Sequence, residues 1–205
     1  PTVGAYVLSV TMPALRQAFP NMKIQVREER DDTLLRQLGD GVHDLILLPD
    51  RTGRPDLVCH HLLSEPLMVV MPNDHPLARH DRIRPEQLAG QTILSMGGGH
   101  RLQDQITGLC RDTGAHHASD YQETTLDTLR QMVAIGMGIS LLPALYVRSE
   151  VMREQLVTAR PMAERAPLRH ISLIWPANSP RRATYGMIAE NLRASLRPWG
   201  EIDAS

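Results

Sequence analysis

The stretch "LDTLRQMVAIGMGISLLP" (Leu126–Pro143) joins an amphipathic segment directly to a continuous apolar one. Leu126, Leu129, Met132 and Val133 recur at spacings of three and four residues, which places them on one face of a helix. Two glycines then precede "ISLLP", whose unbroken apolar run is typical of a strand buried on both faces. A helix followed at once by a buried strand is the repeating unit of an α/β fold.

The same alternation of strands and helices continues on both sides of this stretch. Five further segments are predicted as strands: Lys23–Glu29, 43–49, Leu67–Pro72, Gln91–Met96 and Leu168–Pro176. Further helices are predicted over Ala5–Phe19 with a kink or restart at Pro13, from Asp31 or Asp32 as a cap to Gly39 or Gly41, from about Arg101 to Cys110, and over Arg181–Leu196. We therefore expect an α/β fold with mainly parallel sheets.

A polar, proline-containing segment from Pro72 to Gly90 interrupts this pattern and predicts a lobe boundary. A second crossing is expected just before "HISLIWP". The first lobe would then be discontinuous, with residues 1–71 and 172–205, and the second lobe would hold residues 72–171. Two Rossmann-like lobes of this kind enclose a cleft, which is the preferred location for a small ligand.

Composition limits the possible partners. The chain has 205 residues and a formal net charge of -1, which argues against a broad nucleic-acid-binding face on this segment. Its apolar runs are too short for a membrane span, and no signal peptide opens the sequence. Two cysteines, Cys59 and Cys110, are too few for a disulfide framework. These features predict a cytoplasmic protein that does not enter the membrane.

The glycine-rich stretch "GGGHR" at residues 97–101 precedes a predicted helix and is the main candidate binding site. Helix N-termini present free N–H groups, glycines such as Gly99 allow close approach, and Arg101 adds a fixed bidentate donor. The alternative is a simple glycine turn, with Asp104 balancing the helix dipole and Arg101 in solvent. His100 is either a donor to an anion or a structural hydrogen-bonding residue.

Two further helix starts carry hydroxyl groups. Thr2 and Gly4 open the first helix, and Thr125 precedes "LDTLR" with Asp127 available as the acid of a capping box. Pure capping and ligand contact remain equally open at each position.

The cysteines and neighbouring histidines give weaker signals. Cys59 and His61 in "VCHHL" share one face of a strand, and two ligands are too few for a closed zinc site, so we expect no metal and no other cofactor. Cys110 lies on the apolar face of its helix, where a free cysteine usually acts as a small buried hydrophobe, although a redox role stays open. Neither a catalytic triad nor a nucleophile elbow is present as a motif, so we expect no enzyme activity.

Three segments together resemble the regulatory, effector-binding domain of LysR-type transcription regulators. They are "LLRQLGDGVHDLIL" (Leu34–Leu47), "MPNDHPLA" (Met71–Ala78) and "GMGISLLP" (Gly136–Pro143). The resemblance covers nearly the whole chain. It implies a two-lobed fold of the type II periplasmic-binding-protein kind and a role in controlling transcription.

Within that family the chain is similar to the OxyR branch, the peroxide sensors, through "PTVGAYVL", "GGHRLQDQITGLC" and "TTLDTLRQMVAIGMGISLLPAL". In that branch a peroxidatic cysteine follows the histidine, where this chain has Arg101, and Cys110 stands at the resolving position. The resemblance places His100, Asp104 and Thr2 at the peroxide pocket, with Asp31 replacing a small hydroxyl residue. A guanidinium cannot attack peroxide, so the sequence argues against a dithiol switch.

The resemblance also implies the partners of the full-length protein. They are a small-molecule or anionic effector in the cleft, a second copy in a homodimer with a tetramer in the full-length protein, and DNA bound through an N-terminal helix-turn-helix domain outside this chain. The genes controlled would include oxidative-stress genes. The alternative is a stand-alone two-lobed solute-binding protein for a small anion.

Overall fold

The structure is a computed structural model that describes residues 3–49, 52–96, 101–121, 125–153 and 155–199. The chain divides into two compact units. Unit 1 contains Pro1–Glu65 and His170–Ser205, and unit 2 contains Pro66–Arg169. The lobe boundaries at residues 72 and 172 stay a prediction of the sequence.

Helices and strands alternate along much of the chain. The helices are α1 (Gly4–Ala18), α2 (Asp31–Gly39), α3 (Arg101–Thr113), α4 (Leu126–Ala134), α5 (Ala144–Ser149) and α6 (Arg182–Leu196). The strands are β1 (Ile46–Leu48), β2 (Leu57–Pro72), β3 (Thr92–Met96), β4 (His116–Tyr121), β5 (Ile139–Pro143), β6 (Val157–Pro161) and β7 (Leu168–Pro176). Short 3-10 helices cover Pro76–Arg79, Pro85–Leu88, Val151–Arg153 and Arg197–Trp199.

Unit 1 is built on β7, which lies between β1 and β2 in the sheet order. β1 and β7 are antiparallel, with Ile46 opposite Ile174. α1 packs against α6 and buries Val7, Thr11 and Leu15, which recur every four residues on one helix face. The helix is continuous through Pro13, so of the two predicted alternatives the restart is wrong and the kink stays a prediction.

Unit 2 is built on a mixed sheet in which β5 lies between β2 and β3. β3 is parallel to both β4 and β5, whereas β2 is antiparallel to β5 and β6. The expectation of mainly parallel sheets is therefore wrong. Although α5 lies between β5 and β6 in the chain, each of these two strands has β2 as an antiparallel neighbour, so a helix between two strands does not by itself give parallel pairing.

The two glycines of "GMGISLLP" have separate structural reasons. Gly136 ends α4 with a φ of 81°, in the left-handed region that favours glycine. Gly138 lies so close to β3 that a Cβ atom there would stand 2.6 Å from the carbonyl oxygen of Thr92. The helix, turn and strand predicted for this stretch are confirmed as α4 and β5.

Three local predictions are wrong. The alternating segment Lys23–Glu29 is not a strand: its residues are exposed, and no strand pairs with it within the described ranges. α2 has Arg30 at its N-cap, with no side-chain cap bond, so Asp31 and Asp32 are first-turn residues that favour the helix dipole instead. Asp127 does not complete a capping box, because with Thr125 as the N-cap it stands at the second helical position and not the third; its carboxylate accepts a hydrogen bond from the Tyr146 hydroxyl at 2.8 Å.

Candidate functional site

The candidate site is centred on the first turn of α3, which begins at Arg101 and follows β3 in unit 2. Gly99 and His100 lie outside the described residues, as does the side chain of Arg101. Asp104 occupies the first turn and is exposed. The backbone geometry confirms that a helix of ordinary length begins here, and its free N–H groups make the first turn electropositive.

α4 starts in the same unit with a side-chain cap. The hydroxyl oxygen of Thr125 accepts a hydrogen bond from the backbone N–H of Thr128 at 3.1 Å. Thr125 is exposed, so its capping role leaves its outer surface open to solvent. The capping interpretation of this residue is confirmed, and ligand contact stays a prediction.

The remaining predicted contact residues belong to unit 1. Thr2 lies outside the described residues. A Cβ atom added at Gly4 would stand 2.8 Å from the Glu28 carboxylate, so the absence of a side chain lets segment 22–30 approach the start of α1. Asp31 is half-buried in the first turn of α2. Gly4 and Asp31 therefore stand at two helix starts, as predicted, and their contact with a ligand stays a prediction.

Cys110 lies deep in the core of unit 2. The residue is 2% exposed and belongs to a cluster of apolar side chains that includes Ile106, Leu109 and Met71. Burial raises the pKa of its thiol to about 11, because an apolar environment disfavours the thiolate. Both cysteines are free thiols. Cys110 therefore has the surroundings of a structural cysteine and not of a nucleophile.

A partly buried polar network, which sequence reasoning missed, holds the first turn of α3 against the sheet. The Ser95 hydroxyl on β3 lies 2.7 Å from Nε2 of His117 on β4, and the Gln103 amide donates to the same hydroxyl at 3.2 Å. Thr107 lies 3.3 Å from the other ring nitrogen of His117. Burial lowers the pKa of His117, which favours the neutral form of the ring.

The histidines near Cys59 are engaged in packing. His60 stacks on Trp175 with ring centroids 6.1 Å apart and stands 3.3 Å from the Glu190 carboxylate. Ser64 joins His61 and His170, at 3.1 and 2.8 Å. Across the described ranges, no three acidic, cysteine or histidine side chains are grouped as a metal site would require.

Comparison with known proteins places this geometry in a family. Residues 1–197 match the family model described as LysR substrate binding domain. The chain belongs to the LysR substrate-binding domain family. The resemblance drawn from the sequence motifs is thus confirmed, and so is the fold class, an α/β fold of the type II periplasmic-binding-protein kind.

Several relatives of this LysR domain are OxyR proteins. It is 37% identical over 196 residues to the DNA-binding transcriptional dual regulator OxyR of Escherichia coli K12. The aligned region covers 96% of this chain and 64% of that protein. The crystal structure of an oxidised form of OxyR matches with a TM-score of 0.84 at 36% identity, covering 99% of this chain and 94% of the other. The reduced OxyR regulatory domain of Pseudomonas aeruginosa gives a TM-score of 0.82 at 30% identity, covering 94% and 93%.

The LysR domain described here spans 64% of the length of its curated E. coli relative. Within the described ranges, no helix has the length and apolar character that crossing a membrane requires.

Proposed function

We propose that this chain is the effector-sensing regulatory domain of an OxyR-like LysR-type transcription regulator that controls oxidative-stress genes. The observation that carries the proposal is the match to OxyR over almost the entire chain, 37% identical across 96% of its residues. Several of these relatives carry the name hydrogen peroxide-inducible genes activator. The matching family model is described as a substrate binding domain, and we expect this chain to bind a small effector in the cleft that the sequence predicts.

The start of α3 is the proposed centre of effector binding. A helix N-terminus offers several N–H donors and a positive partial charge to an anion. Arg101 brings a permanent cation to the same turn, and the residues Gly97–Gly99 allow a ligand to approach the backbone. In the sequence His100 precedes this turn and Asp104 lies in it, and the family topology would add Thr2, Gly4, Asp31 and Thr125 from other helix starts. A small carboxylate, phosphate or similar oxyanion fits this set of donors.

The proposed mechanism does not use a dithiol switch. A disulfide to Cys110 needs a second thiol in reach, and the position before "LQDQ" holds an arginine. The buried, protonated state of the Cys110 thiol also opposes thiolate chemistry, since only the thiolate attacks peroxide or a disulfide. The signal would instead come from ligand binding, which shifts the population between two arrangements of the domain.

The proposed partners follow from the family. A second copy would pair through α1 and the segment Lys23–Glu29, forming a homodimer that assembles further to a tetramer in the full-length protein. DNA would be bound by an N-terminal helix-turn-helix domain outside this chain, in agreement with the near-neutral charge of -1. The protein would act in the cytoplasm.

Thermal denaturation with a panel of anions tests the effector site. Citrate, malonate, phosphate and sulfate are titrated at constant ionic strength, and a ligand of the folded state raises the melting temperature in proportion to ln(1 + [L]/Kd). We expect at least one saturable anion response, lost in Arg101→Ala. Arg111→Ala is the matched control, because Arg111 lies on the last turn of the same helix and is exposed. Equal responses in all three proteins would contradict the anion site.

Mass spectrometry after mild peroxide treatment tests the proposal that the chain does not use a dithiol switch. We expect no intramolecular disulfide. A Cys59–Cys110 bridge would overturn the claim that the dithiol switch is lost, while leaving the anion site untouched.

A further inference from the structure

The side of α3 that contains Gln105 and Asp112 is bonded to the connection that leads into β7. The two residues are seven positions apart, two turns of helix, so they share one face. Gln105 bonds Leu168, the first residue of β7, and Asp112 bonds Arg165, which lies shortly before that strand. β7 is also the strand along which the chain leaves unit 2 at Arg169 and enters unit 1 at His170.

Gln105 bonds both polar groups of one backbone residue. Its Oε1 accepts a hydrogen bond from the Leu168 N–H at 2.9 Å, and its Nε2 donates to the Leu168 carbonyl oxygen at 3.2 Å. The amide thus occupies the place that a neighbouring strand would take in a ladder. Because both bonds join the same two residues, rotation or translation of α3 at Gln105 cannot occur without moving Leu168 or breaking the pair.

A second contact supports the same connection. The Arg165 guanidinium donates to the Asp112 carboxylate at 2.7 Å. Arg165 has a φ of 55°, a left-handed conformation that is costly for a residue with a side chain and persists only when its surroundings hold it. Ala166 packs on the apolar cluster that contains Cys110. Residues 165 and 168 are therefore held by α3 at two points, and Ala166 between them packs on the apolar core of the same unit.

The opposite face of α3 is held by the sheet. Gln103 bonds Ser95, which in turn bonds His117, so the first turn is fixed to β3 and β4. Gln103 and Gln105 are about 200° apart around the helix. A displacement of the first turn that breaks the Gln103 network is thus free to pass through the helix to the Gln105–Leu168 pair.

We propose that Gln105 is a positioning residue that transmits a displacement of the first turn of α3 to β7. This inference rests on the proposed function in one respect, that an effector acts at the start of α3. The residue touches no effector. It acts through Leu168, the first residue of the strand that continues into unit 1.

A double-substitution experiment tests transmission without any ligand. Gln103→Ala loosens the first turn, and hydrogen exchange of β7 amides is followed by mass spectrometry in full-length protein. We expect Q103A to accelerate exchange at the start of β7 about two- to tenfold, the factor that corresponds to one net hydrogen bond. In a Q105M background, where the side chain keeps its length but loses both bonds, the added effect of Q103A should vanish.

Two control variants separate transmission from general loosening. Gln105→Glu keeps the acceptor for the Leu168 N–H and loses the donor, so it should transmit partially. Gln131→Met replaces an exposed glutamine on α4 and should leave the Q103A effect intact. An equal effect of Q103A with and without Q105M, or no effect in either background, would overturn the proposal.

The same variants measured with an anion present test whether Gln105 responds to the proposed effector site. An anion that stabilises the wild-type protein should change exchange of β7 in wild type and not in Q105M, while the melting-temperature response stays the same in both. If no anion binds, the effector proposal fails, and the double-substitution result still decides the role of Gln105. If an anion binds and Q105M transmits like wild type, the role of Gln105 is refuted and the effector site stands.

Discussion

Cys110 should be almost inert while the protein is folded, and the variant Cys59→Ser isolates this thiol as the only one in the chain. Burial raises its pKa from 9.0 to about 11, which lowers the thiolate fraction at pH 7 about a hundredfold. The thiol is also 2% exposed, so a reagent reaches it only after local opening. The hundredfold reduction is therefore the smallest expected effect.

Alkylation by iodoacetamide, followed by mass spectrometry, measures this effect. The rate in the folded Cys59→Ser protein is compared with the rate in the same protein in denaturant. We expect the folded protein to react at least about 100 times more slowly at pH 7, and its rate to rise about tenfold for each pH unit up to pH 10. A folded rate within tenfold of the denatured rate would refute the reasoning, because the thiol would then be accessible and ionised normally.

The same pKa predicts the direction of a stability change. A group whose pKa is raised on folding binds its proton more tightly in the folded state, so its protonated form favours folding. This contribution is complete below pH 9.0 and is lost as the pH rises through about 11. Chemical denaturation of Cys110→Ala should show a weaker loss over this range than wild type.

Three substitutions test the local structure, each by urea denaturation. Thr125→Ala removes the N-cap of α4 and should cost about 1 kcal/mol, whereas Thr125→Ser should cost far less. Tyr146→Phe removes the 2.8 Å bond to Asp127 and should destabilise by about 1 kcal/mol; no loss would mean that water replaces the hydroxyl. Gly138→Ala should cost about 1–3 kcal/mol because its Cβ would meet a backbone oxygen at 2.6 Å, while the control Gly108→Ala, with open space around it, should not destabilise.

Sequence periodicity predicted β3, α3, α4 and β5 of unit 2 and did not predict β4, α5 or β6. The stretch Leu126–Pro143 contains both the helix and the strand that it predicts, because its apolar spacing changes at a glycine that must adopt positive φ. The apolar face of α3 was also predicted, since Ile106, Leu109 and Cys110 are buried. In these segments the local pattern and the tertiary packing agree.

The periodicity of the sequence did not predict which strands pair. A period-two pattern shows which side chains could share a face, but it does not show that a neighbouring strand exists, and Lys23–Glu29 has none within the described ranges. Helices between strands also suggested parallel pairing, whereas β2 is antiparallel to β5 and β6. Strand direction depends on which strands become neighbours, and this is decided by contacts distant in sequence.

In the candidate site, too, the sequence predicted local features but not the contacts between distant residues. The start of α4 follows from Thr125, whose side chain caps the helix locally, whereas α1 begins after Val3, which makes no side-chain cap bond. The Gln105–Leu168 pair joins residues 63 positions apart, and an exposed-looking glutamine in the sequence gives no sign of its partner. His117 likewise appears as one of two consecutive histidines, and only the fold shows that its ring contacts Ser95.

The unpaired segment Lys23–Glu29 has a consequence for how this chain behaves in solution. Its alternating Ile24 and Val26 are 36% and 52% exposed, so the segment presents apolar side chains that a strand of another chain could cover. If a second copy supplies that strand, this part of the molecule completes its structure only by association. Its resistance to trypsin, which cleaves after Lys23 and Arg27, would then depend on protein concentration, whereas that of the sheet in unit 2 would not.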